Sequence, residues 1–322
     1  MRAITVIADQ ELELADVPDP TPGPGEVLVR VAATGVNRAD VLQRAGHYPP
    51  PPGTSDVMGL EVSGTIAALG EGVTAWREGE QVAALLAGGG YAELVAVPAG
   101  QLLPVPAGLD LVDAAALPEA VCTAWANLVQ SGGLTNADTV LVHGGSGGVG
   151  SAAIQLAAAL GARVLTTAGG PERAARCREL GADLAIDYRA QDVVEEVERA
   201  TDGRGVDVIL DVLGAGGLPG NVRMLATNGR LVVIGTQKGR KGELDLGLLM
   251  TKRASIHAAT LRARPLEEKA AVVADVRERA WPLLDDGRLR PVISHRVPLA
   301  EAARAHELLE NGQVFGKVLL LP

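Results

Sequence analysis

The segment that most restricts this chain is an apolar run, Val140-Leu-Val-His143, that breaks into Gly144-Gly-Ser-Gly-Gly-Val-Gly150 and resumes as an Ala-rich stretch over 151–160. Gly145, Gly147 and Gly150 satisfy G-x-G-x-x-G between a predicted strand and a predicted helix. Each glycine serves a physical purpose. One allows the tight turn, one admits a pyrophosphate to the backbone, and one lets the helix close on the strand. The helix N-terminus adds unpaired N–H groups and partial positive charge, which suit phosphate. A Gly-rich turn without a ligand is the bland alternative. It loses ground because strand, loop and helix fall in order within a longer pattern.

That pattern runs from residue 123 to 262. Apolar runs at 139–143, 163–167, 184–187, 206–211, 231–234 and 255–258 read as strands. Helix-like segments at 151–160, 171–180, 193–200 and 218–225 separate most of them. Such alternation implies right-handed crossovers and a parallel, doubly wound sheet. Residues 1–120 read differently. Short runs at 3–7, 27–32, 62–69, 81–85 and 91–97 are punctuated by Gly and Pro, which points to a barrel or sandwich. A short helix is expected at 39–44, followed by the stiff run Pro49–Pro52, expected to form a loop. Beyond 262, helices are expected over 267–284 and 299–309 and a closing strand over 318–321.

The second predicted strand of the parallel sheet identifies the ligand further. NAD-binding chains usually carry an acidic residue there, about 20 residues past the glycine loop, to hold the ribose hydroxyl. This strand ends Leu165-Thr-Thr-Ala-Gly169-Gly170, and the first carboxylate is Glu172, followed by Arg173. A missing acid removes repulsion toward a 2′-phosphate, and a guanidinium can pair with one. The expected cofactor is therefore NADPH, although Arg173 could also be a solvated helix charge.

Charge and cysteine content narrow the partners. The formal net charge is -10, which disfavours nucleic acid and anionic membranes. The N-terminal decapeptide alternates like a strand and lacks a signal-peptide core. Two cysteines, Cys122 and Cys177, give no disulfide framework, so a cytoplasmic setting is expected. Both read as small apolar fillers. His143 and His257 read as structural histidines on buried strands, and His47, His295 and His306 have no metal-ligand spacing around them. The acidic run Glu195–Glu198 reads as a solvated helix face.

The chain resembles the medium-chain dehydrogenase/reductase superfamily and, within it, the zinc-free quinone oxidoreductases. The resemblance spans nearly the whole length. It is carried by Pro22-Gly-Pro-Gly-Glu-Val-Leu-Val29, Gly35-Val-Asn-Arg-Ala-Asp40, Gly46-His-Tyr-Pro-Pro50, Gly59-Leu-Glu-Val-Ser-Gly64, Gly88-Gly-Gly-Tyr-Ala92, Ala116-Leu-Pro-Glu119, Gly181-Ala-Asp183 and Gly316-Lys317-Val318. Asn37-Arg-Ala-Asp40 and Leu85-Leu-Ala-Gly-Gly-Gly90 look most like the branch typified by the tumour-suppressor-inducible quinone oxidoreductase.

The resemblance implies an α/β protein of two domains. Residues 1–122 with 263–322 would form a chaperonin-cofactor-like β-barrel catalytic domain, and 123–262 a Rossmann dinucleotide-binding domain. It implies a homodimer and a small quinone or enone substrate. Zinc relatives carry Cys where this chain has Asn37 and His where it has Leu60, so a metal-free site is expected. Asn37, Asp40 and Tyr48 match the polar positions of the family's cleft. Asn37 would hold the nicotinamide or the substrate oxygen, and Tyr48 would donate to that oxygen or stack on the ring. Asp40 would either act there or pair with Arg38 or Arg44 and fix the loop. Cofactor contacts are implied at Thr123, Gly145, Ser146, Gly147, Gly148, Val149, Gly169, Gly170, Arg173, Tyr188, Ile234, Gly235, Thr236 and Lys317. In the tumour-suppressor-inducible branch a serine can occupy the position of Gly147, whereas this chain has Ser146 one residue earlier. The alternatives are an NADPH-dependent enoyl or alkenal reductase, or a non-catalytic NADPH-binding protein like some crystallin relatives.

One substitution tests the cofactor expectation. Arg173→Glu is expected to raise the NADPH dissociation constant far more than that of NADH, measured by fluorescence titration. Equal changes for the two nucleotides would contradict it.

Overall fold

A computed structural model describes residues 1–322. The chain divides into two compact units, Met1–Cys122 with Leu261–Pro322, and Thr123–Thr260.

The first unit is built mainly of antiparallel strands. Its strands are β1 (Arg2–Val6), β2 (Leu12–Asp16), β3 (Glu26–Val36), β4 (Glu61–Leu69), β5 (Gln81–Leu85), β6 (Leu94–Pro98) and β7 (Leu102–Pro104), with two more near the C-terminus. Those two are β14 (Ile293–Pro298) and β15 (Lys317–Leu321), and the main sheet runs β14-β15-β3-β4-β5-β7 with β6 also paired to β3. The long strand β3 pairs β15, β4 and β6 along its length, so it ties the C-terminal segment to the N-terminal one. Alternate residues Val27, Val29 and Val31 point into an apolar core with Val62, Ile66, Val82 and Val97. Helix α1 (Arg38–Arg44) follows β3 directly, and α2 (Pro118–Trp125) contains the unit boundary.

The second unit holds strands β8 (Thr139–Val142), β9 (Arg163–Ala168), β10 (Leu184–Asp187), β11 (Val206–Asp211), β12 (Leu225–Val233) and β13 (Ser255–Ala258). They form one parallel sheet in the order β10-β9-β8-β11-β12-β13. The helices of this unit are α3 (Gly148–Ala159), α4 (Pro171–Glu179), α5 (Val193–Ala200), α6 (Leu218–Met224) and α7 (Leu246–Thr251). The central strands are apolar runs because both faces are covered. Leu141, Leu165, Ile209 and Leu231 belong to one core with Ile186 and Val197. Strand order reverses between β8 and β11. The crevice at the carboxyl ends of such strands is where ligands bind in this architecture.

Three expectations need correction. Strand β12 begins at Leu225 rather than 231, because the chain passes through Asn228 at φ 63 and still stays in the sheet. The helix expected over 267–284 is two helices, α8 (Leu266–Arg279) and α9 (Pro282–Asp285), with α10 (Ala302–Glu310) the last of the chain. Pro282 has no N–H and starts a new helix rather than continuing the old one. His257 lies on β13, which pairs β12 alone, and its side chain is exposed beside Ser255 Oγ at 3.0 Å rather than buried.

Candidate functional site

In the nucleotide unit, the glycine loop leaves β8 and enters α3 with no room for side chains at two points. A Cβ on Gly145 would lie 2.1 Å from Thr166 Oγ1, and one on Gly150 would lie 2.1 Å from the Gly144 carbonyl oxygen. At Gly147 a Cβ would meet only that carbonyl, at 3.4 Å, so the outer side of the loop is open. Gly147 is the N-cap of α3, and its carbonyl accepts the Ser151 N–H at 2.8 Å. The N–H groups of Gly148, Val149 and Gly150 fall in the first turn, before a helical partner exists for them. The cradle fits a diphosphate: backbone donors, no side-chain obstruction, and the positive end of a helix of 12 residues.

His143 braces this loop. Its Nε2 lies 2.8 Å from Asn221 Oδ1 and its Nδ1 lies 3.2 Å from Thr167 Oγ1, which also accepts the Gly144 N–H at 3.2 Å. With Asn221 Oδ1 as acceptor, the proton sits on Nε2, and Thr167 donates to Nδ1. Burial lowers the His143 pKa, which keeps the ring neutral. Cys177 lies beneath the same loop. Burial pushes its thiol up to about 11, and Cys122 is raised by the same cause, so neither behaves as a nucleophile.

Around the end of β9, several expected residues come together. Arg173 Nη1 donates to Ser146 Oγ at 3.4 Å, bringing a guanidinium to the glycine loop. The Tyr188 hydroxyl lies so close to Gly169 that a Cβ there would be 2.6 Å away, and Arg189 Nε would be 3.1 Å from it. Gly170, at φ 100, is the N-cap of α4 and donates its N–H to Asp187 Oδ1 at 2.8 Å. That same oxygen accepts the Arg189 N–H at 3.0 Å, so the nearest carboxylate is tied to backbone. Sequence reasoning misses Arg189 because it lies after the third strand, outside the motif. Ile234, Gly235 and Thr236 leave the sheet after β12, where the Ile234 N–H is held by the Asp211 carbonyl at 2.8 Å. Thr123 opens the unit, and its carbonyl accepts from Asn127 Nδ2 at 2.7 Å.

In the first unit, Asn37 and Asp40 belong to one buried polar cluster. Lys317 Nζ donates to Asn37 Oδ1 at 2.6 Å and also to Glu61 Oε1. Asn37 Nδ2 donates to Glu61 Oε1 at 2.9 Å, and Glu61 Oε2 accepts the Glu119 N–H at 2.9 Å. Gly35 makes room for this carboxylate, since a Cβ there would be 2.2 Å from Oε1. A buried carboxylate and a buried ammonium satisfy each other, which neither could do alone. Lys317, expected among the cofactor contacts, is only 3% exposed and has its ammonium committed to this pair.

Asp40 takes the third position of α1, and its Oδ2 accepts the Asn37 N–H at 2.7 Å. Its Oδ1 accepts the Gly59 N–H at 3.3 Å. It pairs with neither Arg38 nor Arg44; Arg44 holds Glu310 at 2.8 Å instead. The spacing Asn37-x-x-Asp40 is that of a helix-start box, a signal present in the sequence. Tyr91 donates to Asp40 Oδ2 at 3.2 Å, and its oxygen faces His306 Nε2 at 3.1 Å. Tyr91 has one proton, so His306 must donate through Nε2, leaving buried Nδ1 as a bare acceptor. Burial and the Arg44 charge hold the His306 pKa down at about 3. Tyr48 is half-buried under the Arg262 guanidinium, 5.2 Å from ring centroid, and Arg262 Nη1 donates to the Tyr48 carbonyl at 3.1 Å. No group of three or more His, Cys, Asp or Glu side chains is placed to hold a metal.

Comparison with known proteins identifies the family. Residues 148–276 match the family model "Zinc-binding dehydrogenase", and residues 23–107 match "Alcohol dehydrogenase GroES-like domain". A quinone oxidoreductase from Lama guanicoe is 34% identical over 100% of this chain and 97% of its own. The Escherichia coli quinone oxidoreductase solved with NADPH superposes with a TM-score of 0.88 at 28% identity, covering 100% of this chain and 99% of that one. A phthioceranic/hydroxyphthioceranic acid synthase from Mycobacterium tuberculosis is 37% identical over 97% of this chain, which spans only 15% of the synthase. The fold is thus a GroES-like domain joined to a Rossmann domain, and the class is an oxidoreductase. The chain belongs to the medium-chain dehydrogenase/reductase superfamily, in its quinone oxidoreductase group. No helix is long and apolar enough to cross a membrane.

The buried cluster has a measurable titration. Burial raises the Asp40 carboxyl from 3.8 to about 6, against the opposing pull of the Asn37 N–H and the Lys317 charge. A raised acid pKa means that the folded state holds the proton more tightly than the unfolded one. The stabilisation from this group is full below 3.8 and is lost as pH rises through about 6. Carboxyl carbon NMR is expected to show the Asp40 midpoint near 6, moved higher by Tyr91→Phe, which removes a donor to the charged form. A midpoint at or below 3.8 would contradict this.

Proposed function

We propose that this protein transfers hydride from NADPH to a quinone or related conjugated carbonyl compound, without zinc, as a cytoplasmic enzyme. The observation that carries the reading is the guanidinium of Arg173 held at Ser146, against the open glycine loop. Arg173 and the Tyr188 hydroxyl offer a cation and a donor to a 2′-phosphate, while the first turn of α3 takes the diphosphate. NADPH supplies the hydride chemistry, and the protein supplies binding and orientation.

The donor set speaks for metal independence. Asn37 and Leu60 stand at the two positions where zinc relatives carry ligands, and the local positive charge comes from Lys317, paired with Glu61. A quinone or enone spreads its developing negative charge by conjugation, so neutral donors suffice. Tyr48, half-buried and within reach of solvent, is the donor to the reduced oxygen. Asn37 has its carboxamide fixed from both ends and presents the remaining lone pair of Oδ1. Asp40 is fully buried, so it acts by holding Asn37 and Gly59. Lys317 serves the cofactor side through its grip on Asn37. Ile234, Gly235 and Thr236 flank the nicotinamide, and Thr123, Gly169 and Gly170 complete the nucleotide contacts.

The protein works as a homodimer through the nucleotide unit. Strand β13 is an open edge, and α7 buries none of its residues, leaving Leu246 and Met250 exposed. A second reading, reduction of an activated C=C bond in an enoyl or alkenal compound, draws support from the 37% identity with a segment of the acid synthase.

Loss of absorbance from NADPH against quinones, enones and enoyl thioesters, with NADH as control, separates the readings. Quinone turnover with NADPH is expected. Tyr48→Phe is expected to lower it by up to about 10²-fold while leaving NADPH affinity nearly unchanged. Enoyl thioester turnover alone would favour the second reading. Tight NADPH binding with no turnover of any acceptor would contradict both.

A further inference from the structure

The first unit contains a cavity of about 300 Å³ that none of Asn37, Asp40 or Tyr48 lines. Its size lies at the lower end of the range, about 300–1,000 Å³, typical of small-molecule sites. Much of its wall is apolar: Val57, Leu86, Val95 and Pro98 contribute. Two polar side chains in the wall lack the partners that burial demands. Gln101 is 1% exposed, and its Nε2 has no hydrogen-bond partner. Lys269, on the first turn of α8, is 3% exposed, and its Nζ makes one long bond, 3.3 Å, to the Arg262 carbonyl.

No carboxylate pairs with Lys269. The one acidic residue of the wall, Glu26, accepts the Gly23 N–H at 2.9 Å and forms no ion pair with it. The charge that acts on it is another cation: Arg262, itself buried, is held by the Ala87 and Tyr48 carbonyls and by Gln43 Oε1, all neutral. Burial, then the Arg262 charge, lowers the pKa of the Lys269 ammonium. Buried ions are ordinarily paired, and buried amide donors are ordinarily bonded. Here an ammonium with no carboxylate partner and an unbonded, enclosed amide belong to the wall of one partly apolar space.

We propose that this cavity is a binding site for an amphipathic organic acid, whose carboxylate meets Lys269 Nζ and, once the Gln101 side chain turns toward it, Gln101 Nε2, and whose hydrocarbon body lies against Val57, Leu86 and Val95. The carboxylate supplies the missing counter-charge and the missing acceptor together. The apolar wall sets the class: acetate fills too little of it, and a neutral alcohol leaves the ammonium unpaired. The site is independent of the hydride-transfer reading, since none of its residues is assigned to that reaction.

Isothermal titration calorimetry with sodium octanoate tests the assignment, with octanol and sodium acetate as control arms. Wild type is expected to bind octanoate at one site and the two controls at least tenfold more weakly. Lys269→Met is expected to weaken octanoate at least tenfold, Gln101→Leu severalfold, and Lys269→Arg to retain binding, all with NADPH affinity unchanged. Absence of octanoate binding, equal affinity for octanol, or equal affinity in wild type and Gln101→Leu would overturn the proposal. The last comparison stands even where Lys269→Met fails to fold.

Discussion

Helix α3 approaches strand β8 so closely that the loop between them admits no side chain at Gly145 or Gly150. That approach fixes where the unpaired N–H groups of the first helical turn point, and so what the unit can hold. The bracing is polar on one side, through His143, Thr167 and Asn221, and apolar on the other, through Ile154 and Cys177 under Gly145. Burial keeps this histidine neutral, so its Nδ1 accepts from the Thr167 hydroxyl, which in turn accepts from Gly144. Arg173 lies against this loop at Ser146, and the Tyr188 hydroxyl lies against Gly169 at the end of β9.

The first unit solves a different problem, that of burying charge. Glu61 and Lys317 sit on strands β4 and β15, each flanked by strand β3 in the sheet, and their pairing clamps Asn37 at the strand's end. Asp40, Tyr91 and His306 extend the network from the start of α1 to α10. Removing one partner would leave the other a buried, unpaired ion, an outcome far costlier than loss of one hydrogen bond. The arrangement therefore gives Asn37 a single orientation.

Much of the parallel sheet is legible in the sequence. Strands buried on both faces read as uninterrupted apolar runs, and β10, β11 and β13 have the bounds that their runs predict. The start of β12 is not legible, because Asn228-Gly229 reads as a turn wherever it stands in a sequence. The exposure of His257 is hidden because an apolar run does not say whether one strand or two lie beside it. In the site, the glycine loop and its relation to Arg173 follow from short-range order along the chain. The Asp40–Tyr91–His306 line does not, since its members lie 51 and 215 positions apart. One signal is available: Glu61 and Lys317 each stand at the head of a mostly apolar, buried strand, and opposite charges at two such places suit each other.

The account depends most on the grip of the glycine loop on the dinucleotide, and titration of isotope-labelled protein with NADPH under amide NMR tests that grip directly. Saturable shifts should be largest at Gly147, Gly148 and Val149, with further changes at Arg173 and Tyr188. An absence of saturable binding, or shifts that leave the first turn of α3 untouched, would contradict the account.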